Sequence, residues 1–245
     1  MQQDALIGRA GFERYRYLSK FLNSVRLRAL PVDDEVRVLW ERGDFLGMRD
    51  ADSVCDDFKV FGFFSVWHEQ GYGSIRVAVT NRELGCSCVE VFTEIGGVWE
   101  YLLQAVVWVE DVEIGGVFYR SLSVEHLLLQ QPGVEAERIL PGQYFAGSGQ
   151  LRRFFNLLRY WGEAAGAACL CAIPEYFHSA VMFSSAFHYA DEVMQEIFDG
   201  YCRRFLANGR PDGLAVASHL FESGQVYDDS GNVYRWPTEL MVYFL

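Results

Sequence analysis

Apolar positions Phe12, Tyr15, Leu18, Phe21 and Leu22 fall on one stripe of a 3.6-residue repeat while Arg14, Arg16 and Lys20 lie off it, which predicts a helix over residues 10–29. Pro31, followed by Asp33 and Asp34, sets its outer limit. A shorter helix is expected over 34–42, and 56–64 fits neither period cleanly. From residue 74 the period changes to two: Ile75, Val77 and Val79 share a face, which predicts a strand over 74–80. Further strands are expected over 87–93 and 101–110, with Gly96 and Gly97 turning between them, and over 112–119 after an acidic bend. Residues 70–120 therefore read as an antiparallel meander.

The second half alternates differently. A short strand over 134–139, a helix over 151–165 and an apolar strand over 167–173, bounded by Gly166 and Pro174, require a right-handed crossover and hence local parallel pairing. Helices follow over 177–186 and over 191–206, the latter with Val193, Ile197, Tyr201 and Phe205 at helical spacing. Segment 214–220, a turn around 229–231 and a last strand over 240–244, locked into the sheet, complete a mixed α/β chain without internal repeats.

With 245 residues and 51% hydrophobic content the chain is long and apolar enough for a full core, so disorder is not the expectation. A formal charge of −12 repels a phosphate backbone, which argues against nucleic acid as a partner. No stretch has about 18 uninterrupted apolar residues and the N-terminus has no leader pattern, so neither a membrane span nor a signal peptide is expected and cytoplasm is the expected location. Six cysteines include two Cys-x-Cys pairs, Cys86/Cys88 and Cys169/Cys171. Their single-residue gap is too short for a structural zinc site and strand alternation is taken to point the two thiols to opposite faces, so structural thiols and no metal are expected.

The stretch from Val134 to Gly166 carries the chemistry. Gly147 and Gly149 let backbone approach an anion without a Cβ in the way, Ser148 adds a hydroxyl, and the free N–H groups of residues 149–152, Gln150 among them, open a helix. Arg152 and Arg153 then put two guanidinium groups in a first turn that ordinarily favours acidic side chains, a local disadvantage that a bound diphosphate offsets. An ordinary turn-to-helix junction, its arginines paired with surface carboxylates, accounts equally well for the same residues. Neither G-x-x-x-x-G-K-[ST] nor G-x-G-x-x-G is present.

This arrangement resembles the GCN5-related N-acetyltransferase superfamily, whose [RQ]-x-x-G-x-[GA] turn between the fourth strand and its helix takes the pyrophosphate of an acyl-coenzyme A. The matching window is Tyr144 to Gly149: Gly147 and Gly149 keep the small positions, Tyr144 takes the Arg or Gln position and Gln143 sits one residue early. Arg152-Arg153-Phe154-Phe155, then Leu158, Trp161, Ala165, Gly166 and ACLCAI, are similar to the family's helix and fifth strand. FHSAVMFSSAFHYADEV is similar to its next segment, with Phe177 for the usual Asn, Ala180 kept, Phe183 for the usual Tyr and Ala186-Phe187 for Gly-Phe. VYRWPTELMVYFL resembles its last strand. Glu135 to Arg138 additionally resemble a strand of acyl-homoserine-lactone and N-acyl amino acid synthases.

The resemblance covers roughly residues 100–245. It implies a central, mostly antiparallel sheet with a splayed parallel pair, flanked by helices, with residues 1–69 a helical segment packed on an acyltransferase-like domain of 70–245. It also implies acyl-coenzyme A as cosubstrate, bound by Gly147, Ser148, Gly149, Gln150, Arg152 and Arg153, and a small-molecule amine as acceptor. Transfer requires an acceptor base and a proton for the departing thiolate. Glu135 and Glu137, expected on one strand face, and His178, which precedes or opens the helix over 177–186, are candidate bases; His188 and Tyr189 follow that helix and are the candidates for reaching the leaving group. A noncatalytic binding or assembly module, or transfer from an acyl carrier protein docked through Arg152, Arg153, Arg203 and Arg204, are the alternatives; a homodimer is a further candidate assembly.

Overall fold

Period-two stretches become a nine-stranded sheet in the computed structural model, which describes residues 44–81, 86–135, 139–206, 213–228 and 230–245, and the backbone of 36–42. The helix expected over 10–29 and the candidate base Glu137 lie outside the described residues. Residues 35–245 form one compact unit.

The first strand, β1 (Val36–Arg42), replaces the helix expected over 34–42 and runs parallel to β2 (Ile75–Asn81). Alternating Val36, Val38 and Trp40, β-branched and aromatic, suit a pleated strand better than a helix. Helices α1 (Ala51–Val60) and α2 (Phe63–Glu69) make the crossover between them, resolving the ambiguous 56–64 region. The Asp50 carboxylate caps α1 by accepting from the Ser53 N–H at 2.7 Å, and Gly62, at φ 75°, breaks the path between the helices.

The meander continues through β3 (Cys86–Ile95), β4 (Val98–Ile114) and β5 (Val117–Gln131), all antiparallel. The expected acidic bend is absent: β4 runs through Glu110–Glu113, and its turn lies at Gly115-Gly116, where two successive positive φ angles of 59° and 82° suit a two-residue hairpin. Residues 112–119 are therefore two arms of one hairpin. Exposed acidic side chains do not interrupt a ladder there; a pair of left-handed residues does.

The strand expected over 134–139 is not formed at its described residues Val134, Glu135 and Ile139. Instead β5 ends at Gln131, before Pro132 and Gly133, and a two-residue strand β6 (Ala146–Gly147) pairs with Gln130 and Gln131. The amphipathic α3 (Leu151–Ala164) then leads to β7 (Cys169–Ala172), which pairs in parallel with Ser121–Val124 of β5. Beyond α4 (Phe177–Phe183) come β8 (His188–Tyr189), α5 (Glu192–Leu206), α6 (Gly213–Glu222) and β9 (Met241–Phe244). The last strand is held on both sides, in the order β1-β2-β3-β4-β5-β7-β9-β8. This is the expected mixed α/β architecture, with an open, mostly antiparallel sheet.

Phe154, Leu157, Leu158 and Trp161 turn one face of α3 onto the sheet, where they meet Phe58 and Trp67 in a single core cluster. Gly162 permits the approach to β7: a Cβ there would stand 2.8 Å from Leu170 Cδ2. The Trp161 indole N–H donates to the buried Asp57 carboxylate at 2.9 Å, and Asp57 also pairs with Arg49. Cys169 and Cys171 share a face, contrary to the split expected, because side chains two apart on a strand point the same way; their sulfurs lie 3.9 Å apart. Burial raises both thiol pKa values, which disfavours a thiolate nucleophile. No helix among the described residues is long and apolar enough to cross a membrane.

Candidate functional site

One irregularity in β5 shapes the region. Val107 pairs with Val124 and Val106 with His126, so Glu125 is an extra residue bulged out of the ladder. The bulge changes the inward parity: Leu122 and Val124 face the core before it, Leu127 and Leu129 after it. Pairing with β7 stops at the same place, at Val124 and Ala172, and on that edge strand pairing resumes only at Gln130 with β6. The parallel pairing thus ends where β7 does, and both chains leave the sheet at its carboxyl end, the side on which ligands bind in open α/β sheets.

Two connections leave that end. From β5 the chain passes through the glycine turn into α3. Gly147 and Gly149 are exposed, whereas Ser148 and Gln150 between and after them are 5% and 2% exposed. The Ser148 N–H donates to Leu129 O at 3.3 Å, and the first helical bond runs from Phe154 N–H to Gln150 O at 3.0 Å. The amides of Gln150 to Arg153 have no intrahelical acceptor, and no side chain among the described residues caps α3. Gly149, at φ 69°, supplies a left-handed conformation that a side chain would strain. Arg152 and Arg153 are exposed, and among the described residues neither joins an ion pair. The ordinary alternative, arginines engaged by surface carboxylates, is not realised within that set.

The buried side chains behind this turn are polar and unpaired. Among the described residues, Ser148 Oγ, both polar atoms of the Gln150 amide and Gln70 Oε1 have no hydrogen-bond partner, although Gln70 Nε2 donates to Ser148 O at 3.4 Å. Each such atom costs about 1–3 kcal/mol when left unpaired, so the cluster suits polar ligand groups better than it suits a sealed core.

From β7 the chain passes through Ile173 and Tyr176 to α4. His178 in its first turn is buried and stacks on Tyr176 with ring centroids 5.3 Å apart. Burial, with the charge of His219 second, pushes the His178 imidazole down to about 4, and Nδ1 has no partner among the described residues. His219 on α6 in turn contacts Ile139 O through Nε2 at 2.9 Å, and a Cβ at Gly142 would lie 3.2 Å from the Tyr176 ring. The loop after β5 therefore reaches the exit of β7.

The remaining candidates do not gather here. Glu135 is exposed in a loop instead of sharing a strand face with Glu137. Tyr189 lies on β8, two strands away from β7, against Phe198 at 5.5 Å, with a buried hydroxyl that has no partner among the described residues. Burial is the largest cause that raises its pKa, followed by Tyr234, Cys202 and Glu239. Residues that pattern reading missed, namely Gln70, the Glu125 bulge, Tyr176 and His219, acquire their place only through pairing register or contacts distant in sequence.

A buried neutral histidine predicts acid sensitivity. With an ordinary value of 6.5 in the unfolded chain and about 4 in the folded one, His178 stabilises fully above pH 6.5 and loses that contribution as pH falls through 6.5 toward 4. By pH 5 the loss should reach about 2 kcal/mol. Half-buried His126, also pushed down to about 4 by burial, acts in the same direction, so the share of His178 is isolated by comparing urea unfolding of wild type and His178→Gln at pH 7.5 and 5. An equal acid loss in both proteins would refute the assignment.

No known protein family's sequence profile matches the chain, and a search of curated proteins finds no match.

Proposed function

We propose that the protein is an N-acyltransferase that moves an acyl group from an acyl-coenzyme A thioester to an amine. The observation that carries the reading is the turn exposed at Gly147 and Gly149: it runs into α3, which no side chain caps among the described residues, with Arg152 and Arg153 free of ion pairs in that set, at the carboxyl end of the β5–β7 pair. Backbone amides and two guanidiniums there suit the acceptor-only oxygens of a diphosphate. The overall −12 charge makes such a local cationic feature selective for a ligand, not for a polyanion.

In the transfer, the neutral amine nitrogen bonds to the thioester carbon, the C–S bond breaks, and the thiolate takes up a proton while the amine loses one. Backbone N–H groups at the carboxyl ends of β5 and β7 are the natural donors to the oxyanion that forms on the way. His178 fits the role of a neutral hydrogen-bond acceptor near the exit of β7; its low pKa makes it a weak base.

Titration calorimetry with acetyl-, octanoyl- and palmitoyl-coenzyme A tests donor binding. Saturable heat with at least one is expected; no heat and no thermal stabilisation with any of them overturns the reading. A noncatalytic donor-binding module is the second reading, favoured by the low basicity of His178 and the distance of Tyr189 from β7. Release of free thiol that depends on added amine would reject it.

A further inference from the structure

We propose that Gln70 is a positioning residue for the donor turn, an inference that rests on the function proposed above. Gln70 is the C-cap of α2, its own N–H held by Val66 O at 2.9 Å, and its side chain donates to Ser148 O at 3.4 Å across 78 residues of sequence. Two residues later the buried Tyr72 hydroxyl donates to Pro132 O at 3.0 Å. These two bonds tie the beginning and the end of the excursion from β5 to α3 to one short segment after α2.

The Ser148 bond has a directional consequence. Ser148 C=O and Gly149 N–H belong to the same planar trans peptide and point to opposite sides of it. Whatever holds the carbonyl therefore aims the Gly149 amide away from α2. Little else restrains that peptide, because Gly149 has no side chain and the space where a Cβ would stand is open within 4 Å. Without a donor at residue 70, the Ser148–Gly149 peptide is free to flip and turn a carbonyl oxygen, instead of an N–H, toward the ligand phosphate. Among the described residues, the buried Ser148 and Gln150 side chains flanking it make no hydrogen bonds that would oppose the flip.

Gln70→Met keeps the length and volume of the side chain and removes the donor. The expected result is a Kd for coenzyme A raised about 10-fold, with the thermal midpoint of the free protein unchanged within about 2 °C. In the same experiment the Gly149 backbone amide resonance should shift on addition of coenzyme A to wild type and stay in place in Q70M. Absence of coenzyme A binding by wild type refutes the donor-site reading itself. Binding by wild type together with unchanged affinity and an unchanged Gly149 response in Q70M refutes the role of Gln70 alone. A lowered thermal midpoint with the Gly149 shift retained also refutes it, since the residue would then act only on folding.

Discussion

Replacing Arg152 and Arg153 together by alanine is expected to weaken coenzyme A binding about 30-fold while the fold survives. Each guanidinium is exposed, so each contact with a phosphate oxygen is worth about 1 kcal/mol, below the range for buried charge-assisted bonds, and the pair together gives roughly 30-fold. Stability should hold, because neither arginine pairs with a carboxylate among the described residues and arginine in a first helical turn opposes the helix dipole. Raising ionic strength should reduce the difference between variant and wild type, since exposed charges are screened. Calorimetry at low and at 0.5 M salt reads both effects. An unchanged Kd at low salt would remove the diphosphate from this turn.

The largest expected effect on stability comes from Asp57→Ala. The carboxylate is buried at the junction of three elements, where it accepts from Trp161 Nε1 and pairs with Arg49. Its removal leaves a fully buried indole N–H without an acceptor and a guanidinium without a counter-charge, and opens a small void beside Phe58 and Trp161. A loss of about 3–4 kcal/mol is expected, a large fraction of the stability of a domain this size. Urea unfolding measures it. Asp57→Asn, which retains an acceptor for Trp161, should recover about half; equal losses for Ala and Asn would show that the indole bond contributes little.

How much of this was legible depends on whether the signal is local. The meander from Ile75 to Tyr101 could be read because alternating Val and Ile residues and a Gly-Gly turn declare themselves within a few positions, and α3 could be read from the spacing of Phe154, Leu158 and Trp161. Val36–Arg42 was misread because acidic residues before a short segment resemble a helix start, whereas its parallel partner lies some 40 residues away in sequence. The expected strand at Val134 failed for a related reason: Leu127-Leu128-Leu129 gives no alternation, so the end of the long β5 could not be distinguished from a new element. In the candidate site, Gly147 and Gly149 announce a turn by residue type alone, but Gln70 meets Ser148 only once α2 has packed, and Tyr189 meets Phe198 only once α5 has packed.

Glu125 gives β5 two sets of rules. At Leu122 and Val124 the even-numbered positions are the ones that face the core; at Leu127 and Leu129 the odd-numbered ones are. Relatives that diverge along this strand would therefore exchange polar for apolar residues in opposite phase on either side of position 125. A chain lacking that single residue would hold Leu122, Val124, Leu127 and Leu129 in one unbroken alternation, so loss of one codon there would remove the bulge and its local bend while leaving every inward residue in phase with the core.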